Sequence, residues 1–433
     1  VTQAGGSDRQ TLVYARPLAA AICIVFLLMA VGIGGADSMS TSQAKAPKRS
    51  VASPHTSLAP AAATGAFGLD LMRAQGPGNL VLSPDSIAAA LAMTGTGGVG
   101  RTAQEIARIL HLKGSSALAD VGDLQRAIIA KQVAAAAGDP EPPTLEIANG
   151  LFLQQGLPFE TAFLSSAQQR FGAAPETVDF AGNPTGALDA INGWVSERTK
   201  GLIPRILDSL PEEMALALAN AVYLDADWVH PFKKSKTRPG VFHKAAGKAV
   251  VDFMHQTESL RYGAGPGYKA VALPYRSSTL SLLVVLPAGQ RLGALQYRLD
   301  GRGLARIARR LSPRPVILSL PRFHLNTDAE LTGTLKKLGM RTAFSEAAAD
   351  FSRITTAVPL KVEFVKHAAD FTVDEKGTVA AAATVVGIVP TSAQFPPVDA
   401  VRFNANRPFL FFLRDDRSGA VLFAGRLTDP ASD

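Results

Sequence analysis

The residues able to do chemistry are few and scattered. The histidines number seven: His55, His111, His230, His243, His255, His324 and His367. None stands at the spacing of a paired metal ligand, and no His-Glu-x-x-His run occurs. The chain has one cysteine, Cys23, which excludes an intrachain disulfide and a thiolate zinc site. Cys23 follows Ile22 inside an apolar run, where a thiol serves as a small apolar filler rather than a lipid acceptor. There is no Gly-x-Ser-x-Gly elbow and no phosphate loop ending in Gly-Lys-Ser/Thr. Gly95, Gly97 and Gly100 match the dinucleotide fingerprint in spacing. They follow an apolar helical stretch instead of a strand, so they read as the end of one helix and the start of the next. Nothing nominates a nucleophile with its base, and the expectation is a protein that is not an enzyme, with no metal and no cofactor.

Charge offers one further constellation. Arg302, Arg306, Arg309 and Arg310 fall on one face if their stretch is helical, extended by Arg314. Such a stripe is either a solvated helix face or a contact for a polyanion. The net charge of +8 over 433 residues is a mild excess and does not by itself point to nucleic acid. With 47% apolar and 18% charged residues, the chain has the composition of a globular protein with a full core. Its Ala, Arg and Gly content, with Val1 first, suggests a GC-rich bacterial source.

Apolar periodicity begins near Leu58 and continues to the C-terminus. Helices are expected at Ala59–Arg73, Pro84–Thr94, Thr102–Leu112 and Ala187–Thr199. Ser83 before Pro84 is a strong helix start. Strands are expected at Leu145–Gln154, Ala215–Leu224, Lys269–Leu273, Leu280–Leu286, Val316–Leu320, Phe364–Val373, Leu410–Arg414 and Val421–Arg426. Helices gather early and strands late, which argues for an α+β fold over a doubly wound parallel sheet. No Pro/Gly-rich boundary divides residues 58–433, so one large domain is expected there.

The first sixty residues differ. Leu18–Ala36 runs nineteen residues without a charge and follows Arg9 and Arg16. That suits an export signal, with cleavage after Ala36, or a retained membrane anchor. Either way residues 1–36 hold a cytoplasmic flank and an apolar segment, and the domain is secreted or anchored outside the cytoplasm. A buried core helix is disfavoured because the next stretch offers nothing to pack against. Residues 37–57 are rich in Ser, Ala, Pro and Lys and read as a flexible linker.

Asp374–Pro397 lies between two expected strands, and a long loop there is usually functional. Read as a strand, it places Thr378, Ala380, Ala382 and Thr384 on one face, all small. Val379, Ala381, Ala383 and Val385 share the other. Such a segment can slide into a sheet already packed over a core. The first proline, which would block a ladder bond, is Pro390.

Six segments together resemble the serpins. They are Asn79–Ser86 (NLVLSPDS), Asn220–Trp228 (NAVYLDADW), Tyr268–Pro287, His367–Thr378 (HAADFTVDEKGT), Phe403–Arg414 (FNANRPFLFFLR) and Val421–Pro430 (VLFAGRLTDP). They occur in the family's order, and the likeness covers nearly all of residues 58–430. The resemblance implies a single large α+β domain with mixed sheets, helices and an exposed reactive-centre loop. It implies an inhibitor that a target serine protease, or a cysteine protease, attacks as a substrate. The cleaved loop then enters the main sheet as an added strand while the acyl-linked protease is carried along and distorted. It also implies a loop hinge at Glu375, Gly377, Thr378, Ala380, Ala382 and Thr384. A polar cluster beneath the sheet's opening point (the shutter) falls on Ser83, Ser86, Asn220 and His367. A monomer with no nucleic-acid partner is expected.

In inhibitory relatives the scissile bond lies seventeen residues into the stretch that begins with the hinge glutamate; with Glu375 as the first residue Thr391 is the seventeenth, so the resemblance implies a reactive bond between Thr391 and Ser392. Counting back from the C-terminal motif lands nearer Gln394, which leaves a window of Val389 to Phe395. Ile388-Val389-Pro390-Thr391 suits an elastase-like protease, and a cut after Phe395 suits a chymotrypsin-like one. No Lys or Arg lies between Lys376 and Arg402, against a trypsin-like target. Val379 stands where many inhibitory members carry glutamate. The region matching the polyanion site of some relatives, Ser115–Ala137, carries only Arg126 and Lys131, so no strong polyanion activation is expected there. The other readings are a non-inhibitory serpin fold acting as a binding protein or chaperone, and an enzyme, for which no constellation speaks.

Overall fold

The computed structural model describes residues 59–211, 214–289, 291–378 and 399–431, with the backbone of residues 21–30. The linker 37–57, the remainder of the leader and positions Ala380, Ala382, Thr384, Thr391 and Ser392 lie outside the described residues.

Strand β1 (Ala21–Ala30) comes first. A largely helical stretch follows: α1 (Pro60–Ala74), β2 (Leu80–Leu82), α2 (Pro84–Thr96), α3 (Gly100–Ile109) and α4 (Ala119–Ala135). Ser83 caps α2 by accepting from the Ser86 N–H, with Pro84 in the first turn. Gly97 caps the end of α2 and Gly100 opens α3, so the dinucleotide-like glycines are helix punctuation. Next come β3 (Thr144–Gln154), α5 (Thr161–Phe171), β4 (Pro175–Val178), α6 (Pro184–Arg198) and β5 (Met214–Asp227). Strands β6 (Arg238–His243), β7 (Lys248–Gly265), β8 (Tyr268–Pro274) and β9 (Leu280–Pro287) form an antiparallel meander. Helices α7 (Leu292–Arg298) and α8 (Gly301–Arg309) lead to β10 (Ser312–Pro321), β11 (Phe323–Glu330) and α9 (Thr332–Leu338). The chain closes with β12 (Leu360–Val373), β13 (Gly377–Thr378), β14 (Val401–Asn404), β15 (Phe409–Asp415) and β16 (Val421–Leu427).

Two sheets result. One contains β11, β12, β1, β13, β5, β3 and β4, and the other the remaining strands. Every strand expected from the sequence is present, and the architecture is α+β. Helix α4, helix α5 and the β6–β7 pair were not expected. Polar residues interrupt their apolar pattern, and α4 in particular buries only Val121, Gly122, Gln125, Ile128 and Gln132. Arg302, Arg306 and Arg309 lie on α8 and Arg310 caps it, all exposed, so the stripe forms one basic helix face.

Strand β5 is buried along almost its whole length, which its unbroken apolar run required. Its side chains alternate between two faces, and the even-numbered face meets two clusters in turn. Leu216 and Leu218 pack toward the helices, and Val222 and Leu224 toward the second sheet. Ala217, Ala219, Ala221 and Tyr223 face α6, against Ile191 and Val195. Phe364 and Ala368 of β12 pack against the same cluster, which also takes in Ile203, Ile206 and Leu207 after α6.

The strand formed by residues 21–30 was not expected from the sequence. The apolar leader, read as an export signal or anchor, here runs as a strand between β5 and β12, antiparallel to both. A sheet interior and a bilayer make the same demands: uncharged side chains, and backbone groups bonded within the structure. An apolar run meets both, so periodicity alone does not choose between them. Among the described residues no helix is long and apolar enough to cross a membrane.

Candidate functional site

Strand β12 ends at Val373, and the chain reverses through Asp374–Lys376 into β13. The Asp374 carboxylate accepts from the backbone N–H of Lys376 at 2.8 Å and of Gly377 at 3.0 Å, which fixes the turn. Glu375 points inward and is buried. Its carboxylate accepts from Thr237 Oγ1 at 2.6 Å and from Nε and Nη2 of Arg322 at 2.8 and 2.6 Å. Burial alone would raise the pKa of Glu375. The Arg322 and Thr237 bonds outweigh it and hold the carboxyl below its ordinary value. The backbone is pinned as well: Trp228 N–H donates to the Lys376 carbonyl, Phe232 N–H to that of Glu375, and Trp228 Nε1 to that of Asp374.

Gly377 and Thr378 then enter between the two long strands. Thr378 pairs with Val373 on one side and Ala226 on the other. A side chain at Gly377 is impossible here, because its Cβ would lie 1.9 Å from the Ala226 carbonyl oxygen. Thr378 is fully buried and hydrogen-bonds the hydroxyl of Tyr275, which stacks on Trp228 with ring centres 4.5 Å apart.

Below this hinge lies a buried polar chain. Ser83 N–H donates to His367 Nε2 at 3.2 Å, and Ser83 Oγ donates to the Leu422 carbonyl at 2.7 Å. Ser86 Oγ donates to Asn220 Oδ1. The amide of Asn220 donates to Asn149 Oδ1 at 2.5 Å, and that of Asn149 to Gln125 Oε1 at 3.2 Å and to the Phe171 carbonyl at 2.7 Å. Gln125 finally donates to Asp85 Oδ2 at 2.8 Å. Asp85 is completely buried, and burial pushes its carboxyl up to about 6, with the Gln125 bond pulling the other way. The chain ties helix α2, which carries Ser86 and Asp85, to strands on both sides of the β5–β12 gap.

The structure brings the four expected shutter residues, Ser83, Ser86, Asn220 and His367, into this one cluster, and places Glu375, Gly377 and Thr378 together at the hinge. Sequence reasoning missed Arg322 and Thr237 at the hinge and Asn149, Gln125 and Asp85 below it. Asn149 carried a signal: it is a polar residue inside an otherwise apolar strand. Asp85 lay inside the quoted Asn79–Ser86 segment, and Arg322, Thr237 and Gln125 lie far apart in the chain and carried none. Among the described residues no group of His, Cys, Asp or Glu is placed to hold a metal ion.

His367→Ala removes the acceptor for the buried Ser83 N–H. The expected cost is about 2 kcal/mol. Thermal melting and native gels check it: a lower midpoint with ladders of polymers is expected, and unchanged melting without polymers would contradict it.

A hinge that starts a new strand inside a sheet, above a polar seam joining the flanking strands to one helix, defines an inhibitor-type scaffold. The family model for serpins (serine protease inhibitors) matches residues 62–430, and the chain belongs to this family. It is 33% identical to an uncharacterized serpin-like protein of Thermococcus kodakarensis, over 77% of this chain and 76% of that one. It is 34% identical to the leukocyte elastase inhibitor of Xenopus tropicalis, over 77% and 88%. Among solved structures, the cleaved form of Serpin 42Da superposes with a TM-score of 0.74 at 30% identity, covering 86% of this chain and 98% of that one.

Proposed function

We propose that this chain is a suicide-substrate inhibitor of a serine protease with an elastase-like or chymotrypsin-like primary pocket. The observation that carries this reading is β13: the first loop residues already pair with both β5 and β12, so the hinge is aimed into the main sheet. Attack by the protease serine on the Thr391 carbonyl releases the amine of Ser392 and leaves an acyl-enzyme. The cleaved loop then zips into the sheet with small residues facing inward. The small apolar residues before Thr391 and the likeness to an elastase inhibitor support the target class. A cysteine protease would form the equivalent thioester. The protein acts as a monomer, and residues 18–36 carry the domain out of the cytoplasm as a signal or anchor.

The test uses the chain from residue 58 with an elastase and, separately, a chymotrypsin. The expected result is an SDS-stable complex, with a released peptide starting at Ser392. Cleavage with neither a complex nor a rise in melting temperature would favour a non-inhibitory binding protein or chaperone.

A further inference from the structure

Strand β1 does more than lie against the main sheet. Its register coincides with the path of the loop. Thr378 pairs with Ala226 of β5 and Val373 of β12. Continuing that antiparallel register, position 382 would face Val222 on β5 and Ala369 on β12. Those are the two residues paired with Ile22. Both flanks give the same equivalence, with the same polarity. Residues 21–30 therefore take the places that residues 381–390 would take. Two segments of one chain, AICIVFLLMA and AAATVVGIVP, fit a single strand position.

We propose that the β5–β12 slot is a binding site for this chain's own apolar leader, and that residues 21–30 compete with the reactive loop for it. Both segments are uncharged, and neither carries a proline at any interior position, so each can complete the ladders on both sides. They differ at the polar seam. The position facing Asn220 and His367 is Ile24 in the leader and Thr384 in the loop. The leader is the exchangeable occupant. A bilayer satisfies the same segment equally well, and a chain cannot place it in both. Insertion into a membrane, or removal by cleavage, empties the slot. The occupancy stands on the backbone pairing, and its inhibitory consequence rests on the function proposed above.

Cys23, the chain's one cysteine, provides the test in the full chain. Its strand partners are Ala221 and Ala368. Partners across an antiparallel pair lie within disulfide reach. Ala221→Cys and Ala368→Cys are each oxidised and the bond is mapped by mass spectrometry. Ala217→Cys, the partner position of Leu27, is the out-of-register control. The expected result is at least tenfold more cross-link to 221 or 368 than to 217, lost when anionic lipid vesicles are added before oxidation. Loop cleavage should then raise the melting temperature of the reduced, vesicle-treated chain and not that of the cross-linked chain. Failure to cross-link in both variants, with cooperative melting intact, overturns the occupancy. An equal rise in cross-linked and reduced chains overturns the competition. In-register cross-linking with no rise in any chain, including one starting at residue 58, supports the occupancy and removes the inhibitory reading instead.

Discussion

Ala382→Arg turns the trap into a plain substrate: cleavage of the loop proceeds within about twofold of the parent rate, while the yield of SDS-stable complex falls at least tenfold. The register makes the reason specific. An inserted residue 382 would lie between Val222 and Ala369, both essentially without solvent exposure, on the face packed toward the second sheet. A guanidinium there is a buried charge with no partner, at a cost of several kcal/mol. Insertion stalls, and the acyl-enzyme has time to hydrolyse. The neighbouring face behaves differently. Position 379 would lie beside the half-buried Asp225, so Val379, where many relatives carry glutamate, is no obstacle. Gel densitometry at equal protease concentration, with the melting temperature of the cleaved product, checks the prediction. A persisting complex would remove the insertion mechanism.

Asp85→Asn is expected to stabilise the native protein by about 3 kcal/mol at pH 7, since each pKa unit corresponds to about 1.4 kcal/mol. The carboxyl titrates near 6 in the fold against an ordinary value of 3.8. Between those values the native state holds a proton that the unfolded chain has released. Stability is therefore fullest below the ordinary value and falls as pH rises toward 6, levelling off above it. Asparagine keeps the acceptor for Gln125 and removes the ionisation. Urea unfolding from pH 4 to 7 should show this fall in the parent relative to the variant. A constant difference between the two across that range would mean that Asp85 titrates normally.

Much of this was legible before any coordinates. The long apolar run of β5 declares a buried strand, the alternation along β12 a half-buried one, and Ser83-Pro84 a helix start, because each rests on local backbone chemistry. The four shutter residues and the hinge were found through motif likeness, which carries spatial information that periodicity lacks. Arg322 and Thr237 remained hidden, since their role exists only once β10, β11 and the residues after β5 are brought to Glu375. The strand formed by the leader was not legible for a physical reason: hydropathy reports that a segment avoids water, without saying whether lipid or protein shields it.

Helix α6 adds a constraint of time. Together with Ile203, Ile206 and Leu207 of the segment that follows it, it forms one cluster with Ala217, Ala219 and Ala221 of β5, and Phe364 and Ala368 of β12 pack against that cluster. Any strand that enters or leaves this sheet must pass beneath that brace, and the brace must loosen from both flanks to let it through. Which segment is found in the sheet then depends on the history of the molecule as well as on the relative fit of the rivals. A newly made chain, one long stored and one just cleaved need not agree, though their covalent differences are slight. Residence, more than affinity, becomes the quantity that describes this protein.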